Sequence, residues 1–209
     1  MKRVFILLFT LLMCARINSQ SQVTPVVWAD YVSQVWTAAE GLPGNTVTDL
    51  LQKSDGYLYI GTYDGLVRFD GVKFTILNKN TVSDFRCVSA RTIFEDTKGN
   101  LWVGSNDEGV AKISSSGIKM YTTDNGLPNN SIRDIAEDKS GNIWIGTSNG
   151  LVYITPSGQF IIPQGLDVYD DSHCLVISLY CDTAGRIWLS TTKKHGLYVY
   201  SSGKFSQYT

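Results

Sequence analysis

The chain has 209 residues, of which 43% are hydrophobic and 18% charged, and its formal net charge is −1. This balance supplies enough apolar material for a core and leaves room for one or two domains. Lys and Arg are scattered rather than clustered, which excludes a nucleic-acid-binding surface.

Taken in order, the chain opens with Lys2 and Arg3, then an uncharged apolar run from Val4 to Met13 broken only by Thr10, then small and polar residues up to Gln20. This is the layout of a secretory signal peptide over residues 1–19, with cleavage near Ser19, and the run is too short to span a bilayer. Cys14 would suit lipidation, but Met13 stands where a small residue would be expected. A buried N-terminal strand is the other alternative. No later segment is apolar enough over a membrane's width to be a spanning helix, so the chain as given has no means of carrying a signal across one.

From residue 46 onward the chain repeats. GYLYIGT at 56–62, GNLWVGS at 99–105, GNIWIGT at 141–147 and GRIWLST at 185–191 align without gaps, their first glycines 43, 42 and 44 residues apart. An apolar stretch and an acidic turn precede each. Every unit reads as four short strands: 46–52, 57–62, 66–70 and 72–77 in the first copy. Asp64-Gly65 is a tight hairpin signal, and no stretch of the mature region keeps a helical period.

Such units at this spacing predict an all-β fold, a β-propeller of four-stranded antiparallel blades at residues ~46–88, ~89–130, ~131–174 and ~175–209. Tyr59, Trp102, Trp144 and Trp188 occupy one repeat position and are expected to pack on the next blade. Gly61, Gly104 and Gly146 beside them allow close backbone approach. WTAAEGLP at 36–43 matches YTTDNGLP at 121–128, the fourth strand of the second blade and its exit. Residues 20–45 therefore read as an orphan outer strand, around 31–37, and an entry loop. Nothing supplies that strand's partners, so the ring is expected to be cut short, with further blades in the intact protein. An open arc would expose an edge strand and an apolar blade face.

After cleavage Cys87, Cys174 and Cys181 remain, an odd number that cannot pair fully. Cys174 and Cys181 fall seven residues apart on one strand, about 23 Å at strand rise. All three are read as small packing residues.

At GLPGN (41–45), YIGT (59–62), DGLVRFDG (64–71), GLPNN (126–130), NIWIGT (142–147) and NGL (149–151) the chain resembles the two-component regulator propeller repeat, over residues ~31–209. The resemblance implies an exported, periplasmic or extracytoplasmic sensor propeller. In such proteins a β-sandwich, an inner-membrane helix and an output domain follow, most often a hybrid sensor histidine kinase and sometimes a diguanylate cyclase. It implies a dimeric intact receptor, with a small molecule or oligosaccharide as ligand. The acidic turn is also similar to the Asp-box of sialidase-like propellers, at a different spacing, and is read as structural.

Recognition on a rigid scaffold usually sits in varied polar loops. The candidates are Asn45 and Asn130 in blade-linking loops, and Tyr63, Asp64, Asn106, Asp107, Asn149, Lys194 and His195 in the second-to-third-strand turns. The same residue types also furnish ordinary solvated turns. His173 and His195 have no partner at metal-ligand spacing and are read as loop residues, with neither metal nor cofactor. No nucleophile elbow, phosphate loop or catalytic constellation is evident. The sequence thus favours a non-catalytic sensing module over an exported propeller lyase or hydrolase, or a freestanding interaction scaffold.

Overall fold

Short runs rich in β-branched and aromatic residues, punctuated by glycine turns, form strands where the repeat places them. The computed structural model describes residues 32–166, 175–192 and 196–208. It divides into two units: residues 1–35, whose described part carries no regular structure, and residues 36–209, which hold the strands.

The first blade is β1 (Val47–Gln52), β2 (Leu58–Thr62), β3 (Gly65–Phe69) and β4 (Phe74–Leu77). The second is β5 (Thr92–Glu95), β6 (Leu101–Gly104), β7 (Val110–Ser114) and β8 (Gly117–Tyr121). The third is β9 (Ile132–Glu137), β10 (Ile143–Thr147), β11 (Gly150–Ile154) and β12 (Phe160–Ile161), and the fourth is β13 (Val176–Cys181), β14 (Ile187–Thr191), β15 (Leu197–Ser201) and β16 (Lys204–Gln207). Each blade is an antiparallel sheet in chain order, and the first strands of successive blades touch one another. These are the blades of a β-propeller, with the first strand of each on the inner side.

What holds one blade to the next is the aromatic of its second strand. Tyr59 packs among Ile93, Leu101 and Val103 of the second blade. Trp102 packs among Ile135, Ile143 and Val152 of the third, and Trp144 among Leu179, Ile187 and Leu189 of the fourth. Trp102 and Trp144 are almost completely buried, whereas Trp188 of the fourth blade is only half-buried and meets Tyr208 edge-on at 5.2 Å. The neighbouring glycines permit the close approach. A Cβ at Gly104 would stand 2.5 Å from Ile132 Cγ2, and one at Gly146 2.7 Å from Val176 Cγ1, so each glycine makes room for the next blade's inner strand.

The acidic turn before each aromatic has a specific task. In the second, third and fourth blades the indole N–H of Trp102, Trp144 and Trp188 donates to Asp96, Asp138 and Asp182, at 2.8 Å in every case. The first blade replaces that pair with Lys53 and Tyr59, and Lys53 instead bridges Asp55 at 3.3 Å and Glu95 of the next blade at 3.4 Å. Glu95 also accepts from the Ser54 amide at 2.8 Å, as Glu137 does from the Thr97 amide at 2.7 Å, a repeated clamp between blades.

The outer strand expected around 31–37 is not formed: described residues 32–37 carry no strand. A lone outer strand needs a neighbour for its ladder bonds, and no strand pairs with this segment. Its exit motif nonetheless folds as its counterpart does. Thr37 and Thr122 each open a capping box on a single 3-10 turn, Ala38–Glu40 and Thr123–Asn125, closed by Gly41 and Gly126 at φ 108° and 117°. Trp36 meets Phe74 of the first blade's fourth strand edge-on at 6.2 Å, as Tyr121 meets Phe160 of the third blade's fourth strand at 5.7 Å.

Cys87 is fully buried and unpaired, and burial pushes its thiol up to about 12. Cys181 is unpaired and half-buried, and Cys174 lies outside the described residues. Reactivity requires the thiolate. Iodoacetamide treatment of the native chain at pH 8 should therefore leave the Cys87 peptide unlabelled by mass spectrometry, and labelling should appear only on denaturation; ready labelling of native Cys87 would contradict its place in the core.

Candidate functional site

The inner strands carry a feature the outer ones lack. Their pairing with the second strand slips by one residue between Val47 and Asp49, again opposite Gly146/Thr147 at Arg133, and between Val176 and Ser178. A bulge leaves its extra residue out of the ladder and re-aims the side chain. The bulged residues Thr48, Arg133 and Ile177 share one repeat position with Arg91 of the second blade.

Arg91 and Arg133 consequently face the same cavity, about 430 Å³ in volume and lined also by Asp49, Tyr63, Thr92 and Asp134. Each arginine is steadied by the first residue of its own blade's second-to-third-strand turn. Arg91 Nη1 lies 3.5 Å from Asn106 Oδ1, and Arg133 Nε donates to Ser148 Oγ at 2.9 Å. The corresponding residue of the first blade is Tyr63, whose ring is 47% exposed at the cavity rim.

The two carboxylates have a different role. Asp49 accepts from the amides of Leu50 and, in the next blade, Ile93, at 2.8 and 2.7 Å. Asp134 accepts from the amide of Ile135 at 2.9 Å and, across the blade boundary, from the amide of Leu179 and the hydroxyl of Ser178 at 2.6 and 2.9 Å. Both oxygens of each are thus engaged by main-chain N–H groups, and they act as clamps between blades. Burial pushes the Asp134 carboxyl above the usual carboxylate range, against the pull of those donors. Burial, and then repulsion from Arg91, pulls the Arg133 guanidinium below its ordinary value. Among the described residues neither arginine has a carboxylate within salt-bridge distance. The Nε of Arg91 is buried with no hydrogen-bond partner.

The sequence candidates distribute unevenly around this cavity. Tyr63 lines it and Asn106 braces Arg91. Asp107 is exposed beside it and favours the charged form of Arg133. Asn45 and Asn130 turn inward to the backbone: their side-chain carbonyls accept from the amides of Ala38 and Thr123 at 2.9 and 2.8 Å, locking the turn between blades. Asp64 and Asn149 are exposed, and their amides donate to Thr62 and Thr147 hydroxyls at 3.1 Å. Lys194, His195 and His173 lie outside the described residues. Sequence reasoning missed Arg91 and Arg133. The available signal was their equal offset, eight residues before Gly99 and Gly141.

The two component regulator propeller model matches residues 41–64, 84–107 and 126–149. Among solved structures, the extracellular domain of BT3049 of B. thetaiotaomicron, assigned as a hybrid two component system, is 26% identical, with a TM-score of 0.63 over 77% of this chain and 21% of its own. The extracellular domain of BT4673, from the same organism and assigned as a one component system, is 24% identical, with a TM-score of 0.61 over 78% of this chain and 22% of its own. The chain therefore spans about a fifth of these extracellular domains. Virginiamycin B lyase from Staphylococcus aureus, 16% identical with a TM-score of 0.60 over 80% of this chain and 57% of its own, shares the fold alone. No curated protein matches the sequence. Repeat motif, blade geometry and likeness to extracellular domains of two component systems agree: the chain carries repeats of the two component regulator propeller family.

Proposed function

We propose that this chain is the extracytoplasmic, ligand-sensing propeller of a bacterial signalling receptor of the two-component, histidine kinase type, and is itself non-catalytic. The observation that carries the reading is the regulator propeller repeat recurring in register over consecutive blades, in a chain 26% identical to an extracellular domain assigned to a hybrid two component system. The signal-peptide layout of residues 1–19 supports export. The inner cavity, framed by braced side chains from three blades, offers a small molecule or oligosaccharide a place on a rigid scaffold. In the intact receptor, further blades would continue the arc, an inner-membrane anchor would follow, and dimerisation would couple occupancy to output. A diguanylate cyclase output would leave this part of the reading unchanged. The lyase likeness concerns fold alone and favours no enzymatic reading.

Two measurements test this. Alkaline phosphatase fused after Thr209 should be active in a bacterial host, with a mature N-terminus near residue 20; an inactive, uncleaved fusion overturns export. A thermal-shift screen of the full chain against oligosaccharides and small metabolites should find a stabilising compound that the protein leaves chemically unchanged. At a hundredfold excess over Kd, one-site binding adds about 2.7 kcal/mol. A screen with no stabilising compound, or one in which the compound is turned over, defeats the sensor assignment.

A further inference from the structure

We propose that Arg91 and Arg133 form an oxyanion subsite at the inner cavity and that its ligand is a carboxylated solute of about monosaccharide size; this rests on the sensing reading above. Like charges on adjacent strands are costly unless something negative lies between them. Here the two guanidinium groups line one cavity from neighbouring blades, and the carboxylates that share its lining, Asp49 and Asp134, are already committed to main-chain N–H groups, leaving among the described residues only the exposed Asp107 nearby to favour the charge on Arg133. A carboxylate placed between the two guanidinium groups would offset the repulsion that Arg91 exerts on Arg133.

The arrangement is also preorganised. Asn106 and Ser148 hold the arginines from corresponding turns, so little side-chain freedom remains to be lost on binding. Arginine is the side chain suited to two-pronged carboxylate recognition. At the rim the half-exposed Tyr63 ring offers a flat surface for the less polar face of a small ring. A cavity of about 430 Å³ accommodates a sugar acid with water to spare.

Titration calorimetry on the full chain with D-glucuronate, D-glucose and sodium sulfate provides the test. Glucuronate should bind at least about tenfold more tightly than glucose, and sulfate should compete with it. Arg91→Gln with Arg133→Gln should abolish the preference while leaving the melting temperature nearly unchanged, and the double lysine variant should retain more affinity than the double glutamine one. If the glutamine variant fails to fold, loss of glucuronate affinity with rising salt in the unaltered chain gives the same readout. Equal binding of glucose and glucuronate overturns the subsite but leaves the sensing reading standing. Sulfate binding without glucuronate binding overturns the carboxylated class. Silence toward all three probes overturns the subsite, and the wider screen then decides the sensing reading separately.

Discussion

Trp144→Ala should destabilise the chain by about 3–5 kcal/mol in urea titrations, and Trp188→Ala by roughly a third of that. The two residues occupy one position of one repeat, so any difference comes from surroundings. The Trp144 indole is 1% exposed, lies among Leu179, Ile187 and Leu189 of the following blade, and contacts Tyr153 and Tyr200 at ring separations of 4.6 and 4.9 Å. Removing it opens a void bounded by two sheets that are themselves pinned by the Asp134 clamp, so collapse can recover little. Trp188 has no such cover among the described residues, meets Tyr208 at its edge, and keeps its indole hydrogen bond to Asp182. Equal losses at the two sites would mean that the aromatics stabilise their own blades and do not join successive ones, and the account of blade packing would fail.

The contrast shows why so much of the fold was legible in the sequence. A repeat states the same local solution several times, and four in-register copies let glycine turns, strand lengths and the buried aromatic be read together. Strand bounds moved by a residue or two where a turn or loop took one, as at Thr46 and Tyr57, which fall outside β1 and β2. The outer strand around 31–37 misled because its motif specifies the exit turn and not the strand: the capping box and the Asn45 lock form locally, whereas a strand needs a neighbour. The site was less legible for a related reason. Polar turn residues advertise exposure, and four of the named candidates spend an amide or a side-chain carbonyl on their own backbone turn. Arg91 and Arg133 sit in strand-like segments where an arginine reads as solvated, and only the bulge at Arg133 and the shared repeat position bring both to one cavity.

Asp96→Ala should cost about 3 kcal/mol at pH 7, a large loss for a residue that sits in a turn. Its carboxylate is 6% exposed and gathers the amides of Lys98 and Asn100 at 3.0 and 2.8 Å, the Asn100 side-chain amide at 2.8 Å and the Trp102 indole N–H at 2.8 Å. Alanine leaves those donors facing a hole too confined for all of them to be rehydrated. Burial opposes ionisation here, but the donors outweigh it and hold the carboxyl below its ordinary value. A folded-state value below the unfolded one gives stability that is complete above the unfolded value, near pH 4, and that is lost as the pH falls through the folded one. The gap between the unaltered chain and Asp96→Ala should therefore hold steady from pH 7 to 5 and narrow below pH 4. Asp96→Asn should fall between the two, since its amide nitrogen replaces one acceptor with a donor. A gap that persists undiminished at pH 2.5 would assign the loss to the packing of the turn, and the carboxylate would no longer explain how each blade fixes the tryptophan that its neighbour buries.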